Sequence, residues 1–365
     1  MERLKLGDIC KIVSGGTPKT NIKEYWDGDK KWITPAELND NSYIIADSVR
    51  KLTEFGVLKT GLTPFPEGTV ILSSRAPIGK VAIASCEMYC NQGFKNFICT
   101  DKIYNKYLYW FLRSKTAYLN SLGRGATFKE ISKQIVSDIE IDVPELSEQR
   151  QIVARLEKIA EIAELRKNEI HEIDNLIKSR FVETFGDIET NPFNWKKSSV
   201  GEECFYIKDG PHKSPPYVET GTGIPFISTR NVVNGDKIDW STAKYISESD
   251  YLECIKKCKP EKGDILYSKG GTTGIAKVVD TDKKFANWVH VAVLKFGEQL
   301  DGKFFECMLN SDYCYAQSQR LTKGIANRDF VLSAIAQVKI YVPPIEKQLE
   351  YVAFVQSVDK LKSAA

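Results

Sequence analysis

The stretch PEGTVILSSRAPIGKVAI at residues 66–83 returns as PEKGDILYSKGGTTGIAKVV at residues 260–279. Within it, TVILSS and KVAIAS, and their echoes DILYSK and AKVVD, are rich in β-branched residues and bounded by Gly, Pro and Ser, so they read as strands. Gly68, Ser73 and Gly79 fall on Gly263, Ser268 and Gly274, an offset of 195. Working outward, Leu6-Gly7-Asp8 falls on Val200-Gly201-Glu202 and Trp32-Ile33-Thr34-Pro35 on Phe226-Ile227-Ser228-Thr229, both at 194. Pro144 and Gln149 fall on Pro343 and Gln348 at 199. Insertions in surface loops produce such a drift. A unit of this size is too long for a solenoid repeat and suits a domain with its connector.

Each copy reads as α+β. MERLKLGDICKIV reads as the first strand, and Asn105 to Leu119 (NKYLYWFLRSKTAYL) as a helix echoed by Gly302 to Gln319. A Gly-rich turn, a short helix, a strand-like run (DIEIDVP, QVKIYVPP) and a proline stop follow in both.

Between the copies lies an amphipathic connector. Ser147 is a candidate cap and Glu148 suits the positive end of the helix dipole. Ile152, Leu156, Ile159, Ala163, Arg166, Ile170, Ile173 and Ile177 then recur in steps of four and three, a heptad seam with one polar interruption. Gly186 is the expected stop after Phe185. At 1.5 Å per residue, about 36 residues would span about 54 Å. The second copy starts the same helix with Ile345, Leu349, Val352, Val355 (or Gln356) and Leu361, but covers about half its length. The expected architecture is two similar α/β domains in pseudo-twofold arrangement, separated by long helices forming an antiparallel coiled coil. Its parts are residues 1–146, the central helix 147–186, residues 187–344 and a short distal helix 345–365. The shorter helix would leave part of the first uncovered, for another protein or a second copy to cover.

Composition bounds the function. The chain has 365 residues, too many for one ordinary core, and 42% are apolar, which is enough for real cores. No apolar run is long enough for a membrane span, and the N-terminus lacks the features of a signal peptide. Nine cysteines without a pairing framework point to reduced thiols in a cytoplasmic setting. Cys86-x3-Cys90 and Cys254-x3-Cys258 lack zinc-ribbon spacing, and His171, His212 and His290 do not group with them, so no metal is expected. The net charge of +3 divides unevenly. Residues 1–146 hold 20 Lys and Arg against 17 Asp and Glu; 147–190 hold 7 against 10; 191–365 hold 24 against 21. Two weakly basic lobes flank an acidic connector.

Two similar lobes on a strut can touch two similar things a fixed distance apart, and duplex DNA offers such spacing. Diverged loops would read two different half-sites. Candidate reading loops in the first lobe supply Ser14, Gly15, Thr17, Lys19, Thr34, Ser74, Arg75, Asn91, Gln92, Lys95, Arg124, Thr127 and Lys129. The second lobe supplies Lys208, Lys213, Ser214, Thr229, Arg230, Asn231, Lys269, Thr272, Lys323, Asn327 and Arg328. Glycines allow close backbone approach, hydroxyls and Lys suit phosphates, and Arg or Asn/Gln can read base edges. NWVH (287–290) is a further loop, with His212 and His290 read as satisfied or solvent-facing side chains.

The duplicated lobe with its LGDIC start, PEGTVILSSRAPIGKVAI, the VPELSEQRQIV and PPIEKQLEYV runs, and a connector ending KSRFVETFGD resemble the specificity subunit of type I restriction–modification systems. The resemblance covers essentially the whole chain. It implies a non-catalytic subunit whose two target-recognition domains each read half of a split double-stranded DNA target. It also implies partners: two methyltransferase subunits that use S-adenosylmethionine to methylate an adenine in each half. Restriction subunits that use ATP and Mg complete the endonuclease. The shorter distal helix departs from the full helix pair of that family and leaves self-association open.

Two other readings compete. Asn191-Pro192-Phe193-Asn194-Trp195 superficially resembles the Asn-Pro-Pro-aromatic motif of amino-methyltransferases, but Phe193 breaks it and no Gly-rich cofactor loop precedes it. A two-lobed scaffold binding two proteins is the second, which apolar loop surfaces would favour.

Overall fold

The computed structural model describes residues 2–124, 129–187, 189–325 and 327–364. Contacts divide the chain into two compact units, residues 1–165 and 166–365.

In the first unit the repeated stretch forms the centre of a five-stranded sheet. Val70–Ser73 pairs antiparallel with Val81–Ala84 on one side and with Phe94–Cys99 on the other. Cys10–Val13 and Ile44–Ile45 are the edges. Val70, Ile71, Leu72 and Ser73 are all buried because both faces are covered. Val70 and Leu72 join a core with Leu108, Leu112 and Ile131, while Ile71 joins another with Ile33, Phe65 and Phe94. Such burial demands a continuous apolar run instead of alternation. A second sheet aligns Trp26–Ile33 between Arg50–Leu52 and Tyr89–Cys90, with Trp26, Trp32, Leu52 and Tyr89 as its own small core.

The second unit repeats the plan. Ile265–Ser268 lies between Ala276–Val278 and Val291–Phe296, with Cys204–Asp209 outside. Ile224–Ile227 lies between Lys244–Ile246 and Ala286–Asn287. The glycines at the 195-residue offset close matched turns: Gly79 (φ +96°) and Gly274 (φ +85°) are left-handed, where a Cβ would be strained. Each donates its N–H to the carbonyl of the matched serine, Ser73 at 3.1 Å and Ser268 at 2.9 Å.

Three elements differ from the sequence expectation. MERLKLGDICKIV is two strands, Glu2–Lys5 and Cys10–Val13, separated by a helical turn at Leu6–Ile9. Lys196–Ser199, Val200–Glu203 and Cys204–Asp209 repeat that break. It lets Glu2–Lys5 leave the main sheet and pair with Glu140–Val143, as Lys196–Ser199 pairs with Lys339–Val342. The helix expected over residues 105–119 is Asn105–Ser114 followed by Thr116–Leu122, and its echo is Gly302–Leu309 followed by Asp312–Leu321. The apolar spacing persists across both breaks, which is why the sequence hides them.

The central helix runs Leu146–Phe185 and stops at Gly186 (φ +78°). Its seam is not packed throughout. Ile152, Leu156, Ile173 and Ile177 are half-buried, whereas Ile159, Ala163 and Ile170 are exposed, and residues 161–170 are exposed on every side. In the second unit the terminal helix, Ile345–Ala364, runs antiparallel to the central helix's last turns. Tyr351 meets Phe181 and Phe185, Arg180 lies over the Phe354 ring, and Lys362 binds Asp174 at 2.8 Å. The VPELSEQ and PPIEKQ runs have a common purpose. Buried Gln149 accepts the Tyr104 N–H at 2.7 Å and donates to the Lys102 and Pro144 carbonyls. Buried Gln348 likewise accepts the Asp301 N–H and donates to Gln299 and Pro343. Each glutamine fastens a long helix to the turn before its lobe's own helix pair.

Candidate nucleic-acid interface

In each unit the loops singled out in the sequence meet at one edge of the main sheet. In the first, Gly15 lies so close to the chain that a Cβ would come within 1.8 Å of the Cys90 carbonyl, and Gly16 N–H bonds that oxygen at 3.0 Å. Thr17 Oγ1 donates to Gln92 Oε1 at 2.5 Å, the Ser74 N–H to Gly93, and the Asn91 N–H to Ile33 beside Thr34. Arg124 and Glu130 exchange N–H···O bonds at 3.0 Å, and the next residue, Ile131, bonds the Ser74 carbonyl. Thr127 lies outside the described residues.

The second unit builds the same place from different side chains. A Cβ on Gly210 would come within 1.8 Å of the Asn287 carbonyl. Thr229 Oγ1 donates to the Gly270 and His290 carbonyls at 3.0 and 3.1 Å. Lys323 and Asp329 exchange two 2.9 Å bonds, and Phe330 N–H bonds Lys269 at 2.7 Å.

Exposed on these edges are Ser14, Thr17, Lys19, Gln92, Arg124 and Lys129 in the first unit. Lys208, Lys213, Ser214, Arg230, Thr272, Lys323 and Asn327 are exposed in the second. Gly15, Thr34, Arg75, Asn91, Thr229 and Arg328 are half-buried. Four candidates are not on the surface: Ser74, Lys95, Asn231 and Lys269 are buried. Asn231 is the closing residue of a capping box in which its Oδ1 accepts the Ser228 N–H at 2.8 Å, the counterpart of Glu37 capping Thr34. Lys19 contributes its carbonyl to Trp26 Nε1.

The sequence reading passed over three carboxylates. Glu130 binds Arg75 at 2.9 Å and Lys95 at 3.3 Å. Burial alone would raise its carboxyl, but the two cations hold it below the ordinary value. Asp209 and Asp329 flank Lys269 at 3.5 and 3.1 Å. The available signal was the alignment of Glu130 with Asp329, an acid kept in both otherwise basic loops. His290 sits beside them, with burial and then Lys269 keeping its imidazole below its ordinary pKa. Its Nδ1, and the indole N–H of Trp288, have no hydrogen-bond partner among the described residues.

The methyltransferase-like run has a structural role. Asn191 Oδ1 accepts the Trp195 N–H and its Nδ2 donates to the Trp195 carbonyl, while the Trp195 indole N–H bonds Phe185 at the end of the central helix. The asparagine is spent closing a loop.

Residues 1–175 and 192–364 match the family described as type I restriction modification DNA specificity domain. The chain belongs to that family. The specificity subunit of the type I restriction enzyme MjaIX of Methanocaldococcus jannaschii is 31% identical over 362 residues, covering 93% of this chain and 82% of its own. The fold is similar to the S subunit of a type I restriction-modification system from M. genitalium, with TM-score 0.52 and 16% identity over 100% of this chain and 90% of that one. It is also similar to a chain in a structure concerned with assembly and conformational transition of the type I R-M system, with TM-score 0.58 and 20% identity over 100% and 91%. The matched segments take in nearly all of both lobes, the central helix as far as residue 175 and the terminal helix.

Proposed function

We propose that this specificity-family chain reads DNA sequence without catalysis of its own, one half-site per lobe, and holds the methyltransferase subunits that modify the target. The lobes correspond to residues 1–146 and 187–344, with 147–186 and 345–365 as the helical frame. The observation that carries this is the twofold recurrence of one loop-bearing sheet edge. The backbone crossing at Gly15 and Cys90 recurs at Gly210 and Asn287, and the paired backbone of Arg124 and Glu130 recurs at Lys323 and Asp329. The scaffold is kept while the exposed side chains differ, as expected of a reader of two different half-sites, so the target is asymmetric and bipartite. In this reading exposed Lys and Arg supply phosphate contacts that set register, and the exposed side chains of Gln92, Asn327, Arg124 and Arg230 address base edges. Methylation with S-adenosylmethionine, and cleavage with ATP and Mg, belong to the partner subunits, in a cytoplasmic complex.

The test is co-expression with a methyltransferase subunit of the same system, followed by mapping of adenine methylation. One split motif with a fixed unread gap is the expected result. Exchange of residues 187–344 for another lobe should alter one half of that motif only. A complex that binds S-adenosylmethionine yet places no methyl group in a split motif would overturn the reading.

A further inference from the structure

Lys95 and Lys269 occupy one place in the two lobes, Lys95 within Phe94–Cys99 and Lys269 one residue past Ile265–Ser268. Lys95 faces Leu72 across the sheet in the first lobe. The matching pair in the second lobe is Tyr267 and Ala292. Ser74 of the first lobe matches Lys269 of the second: the N–H of Ser74 bonds Gly93, and that of Lys269 bonds His290. The lysine has thus moved from the position of Ala292 to that of Ser74, and its carboxylate has stayed. Lys95 Nζ reaches Ser74 Oγ at 3.2 Å and Glu130 at 3.3 Å, whereas Lys269 Nζ reaches Asp329 at 3.1 Å and Asp209 at 3.5 Å. The surrounding core differs as well: Leu72 and Ile131 of the first lobe are replaced by Tyr267 and Phe330, whose rings lie 5.7 Å apart in the same core as Ala292.

Both lysines are nearly inaccessible, 6% and 5% exposed. Burying an ammonium costs several kcal/mol unless it is paired. A pair re-created from a different position therefore points to a geometric requirement at its carboxylate. That carboxylate, Glu130 or Asp329, is in each lobe the residue whose backbone pairs with Arg124 or Lys323.

We propose that Lys95 and Lys269 are positioning residues that fix the paired backbone at Arg124–Glu130 and Lys323–Asp329 to the sheet and do not touch DNA. This rests on the DNA-reading role proposed above. It assigns half-site fidelity to two side chains that a charge-based reading would count as phosphate contacts.

The test uses the full chain co-purified with its methyltransferase subunits, and a duplex carrying the split motif found by methylation mapping. Dissociation constants are measured against KCl concentration for wild type, Lys95→Met, Ser74→Lys/Lys95→Met and Lys269→Met. Lys95→Met should weaken the cognate duplex by about tenfold or more, the size of one lost base-pair reading, with the salt slope unchanged. Ser74→Lys/Lys95→Met restores the ammonium from the position of Ser74, and should return affinity to within about threefold of wild type. In duplexes altered at one half-site, Lys95→Met should relax one half and Lys269→Met the other. If Lys95→Met fails to fold by circular dichroism, Glu130→Gln at the half-buried end of the pair carries the same expectation. A salt slope reduced by about 0.9 would show a direct phosphate contact and overturn the proposal. Unchanged affinity and selectivity in Lys95→Met, or no recovery in the double variant, would do so as well. A wild-type complex that prefers no duplex would instead overturn the DNA-reading role.

Discussion

The close crossings at Gly15 and Gly210 leave no space for even a methyl group. An added Cβ lies 1.8 Å from a carbonyl oxygen in both, so alanine forces two backbones apart. Gly210→Ala should cost about 1–3 kcal/mol in urea unfolding, the usual price of overpacking, and should disturb the edge that carries Thr229 and Lys269. Gln348 makes a different kind of demand. Its side chain satisfies three main-chain groups, so Gln348→Leu strands two carbonyls and an N–H and should cost about 1–3 kcal/mol per group left unpaired, less where water enters. A third buried group gives a pH signature. Burial would raise the Glu203 carboxyl, but Lys196 (2.8 Å), Ser198 (2.6 Å) and Gln299 (2.9 Å) hold it below its ordinary value of 4.5. A lowered folded-state value means its stabilisation is full at neutral pH and is lost as pH falls below that ordinary value. Glu203→Gln should therefore be less stable than wild type at pH 7, with the gap narrowing below about pH 4.5 in pH-resolved urea titrations. Such residues were only partly legible. Gln149 stood out because Gln348 repeats it 199 residues on. The burial of Lys95 did not, because its carboxylate lies 35 residues away and a lysine carries no local mark of burial.

Among the elements, the strands and the central helix were legible from their apolar pattern, a continuous run in the strand and four-and-three spacing in the helix. Val70–Ser73 is buried on both faces, and the helix ends at the glycine that the sequence marks. The breaks at Lys115 and at Asn310–Ser311 were not legible, since helical spacing continues through them. Nor could the heptad seam disclose that its middle has no cover. Ile159 is 63% exposed and Ile170 39%, two apolar seam side chains left uncovered for the proposed methyltransferase contact. Ile159→Glu with Ile170→Glu should leave the melting temperature nearly unchanged, as exposed substitutions do. The same change should lower the methyltransferase recovered with the chain in size-exclusion chromatography.

For the molecule as a whole, the duplication sets the pattern of stability. Each unit holds a complete set of cores: Phe97 belongs to the first and Phe304 to the second. Phe97→Ala should remove about 3–5 kcal/mol from one unit, and calorimetry should show one transition moving while the other keeps its midpoint. The helical turn at Leu6–Ile9, repeated at Val200–Glu203, has a further consequence. By turning the first strand out of the sheet it lays residues 2–5 beside 140–143, and residues 196–199 beside 339–342. A lobe thus leaves the chain and returns to it through a single doorway two strands wide. Two cuts at these adjoining points would lift out one reader and admit another, and the frame would accept the newcomer where it keeps the turn that Gln149 or Gln348 fastens.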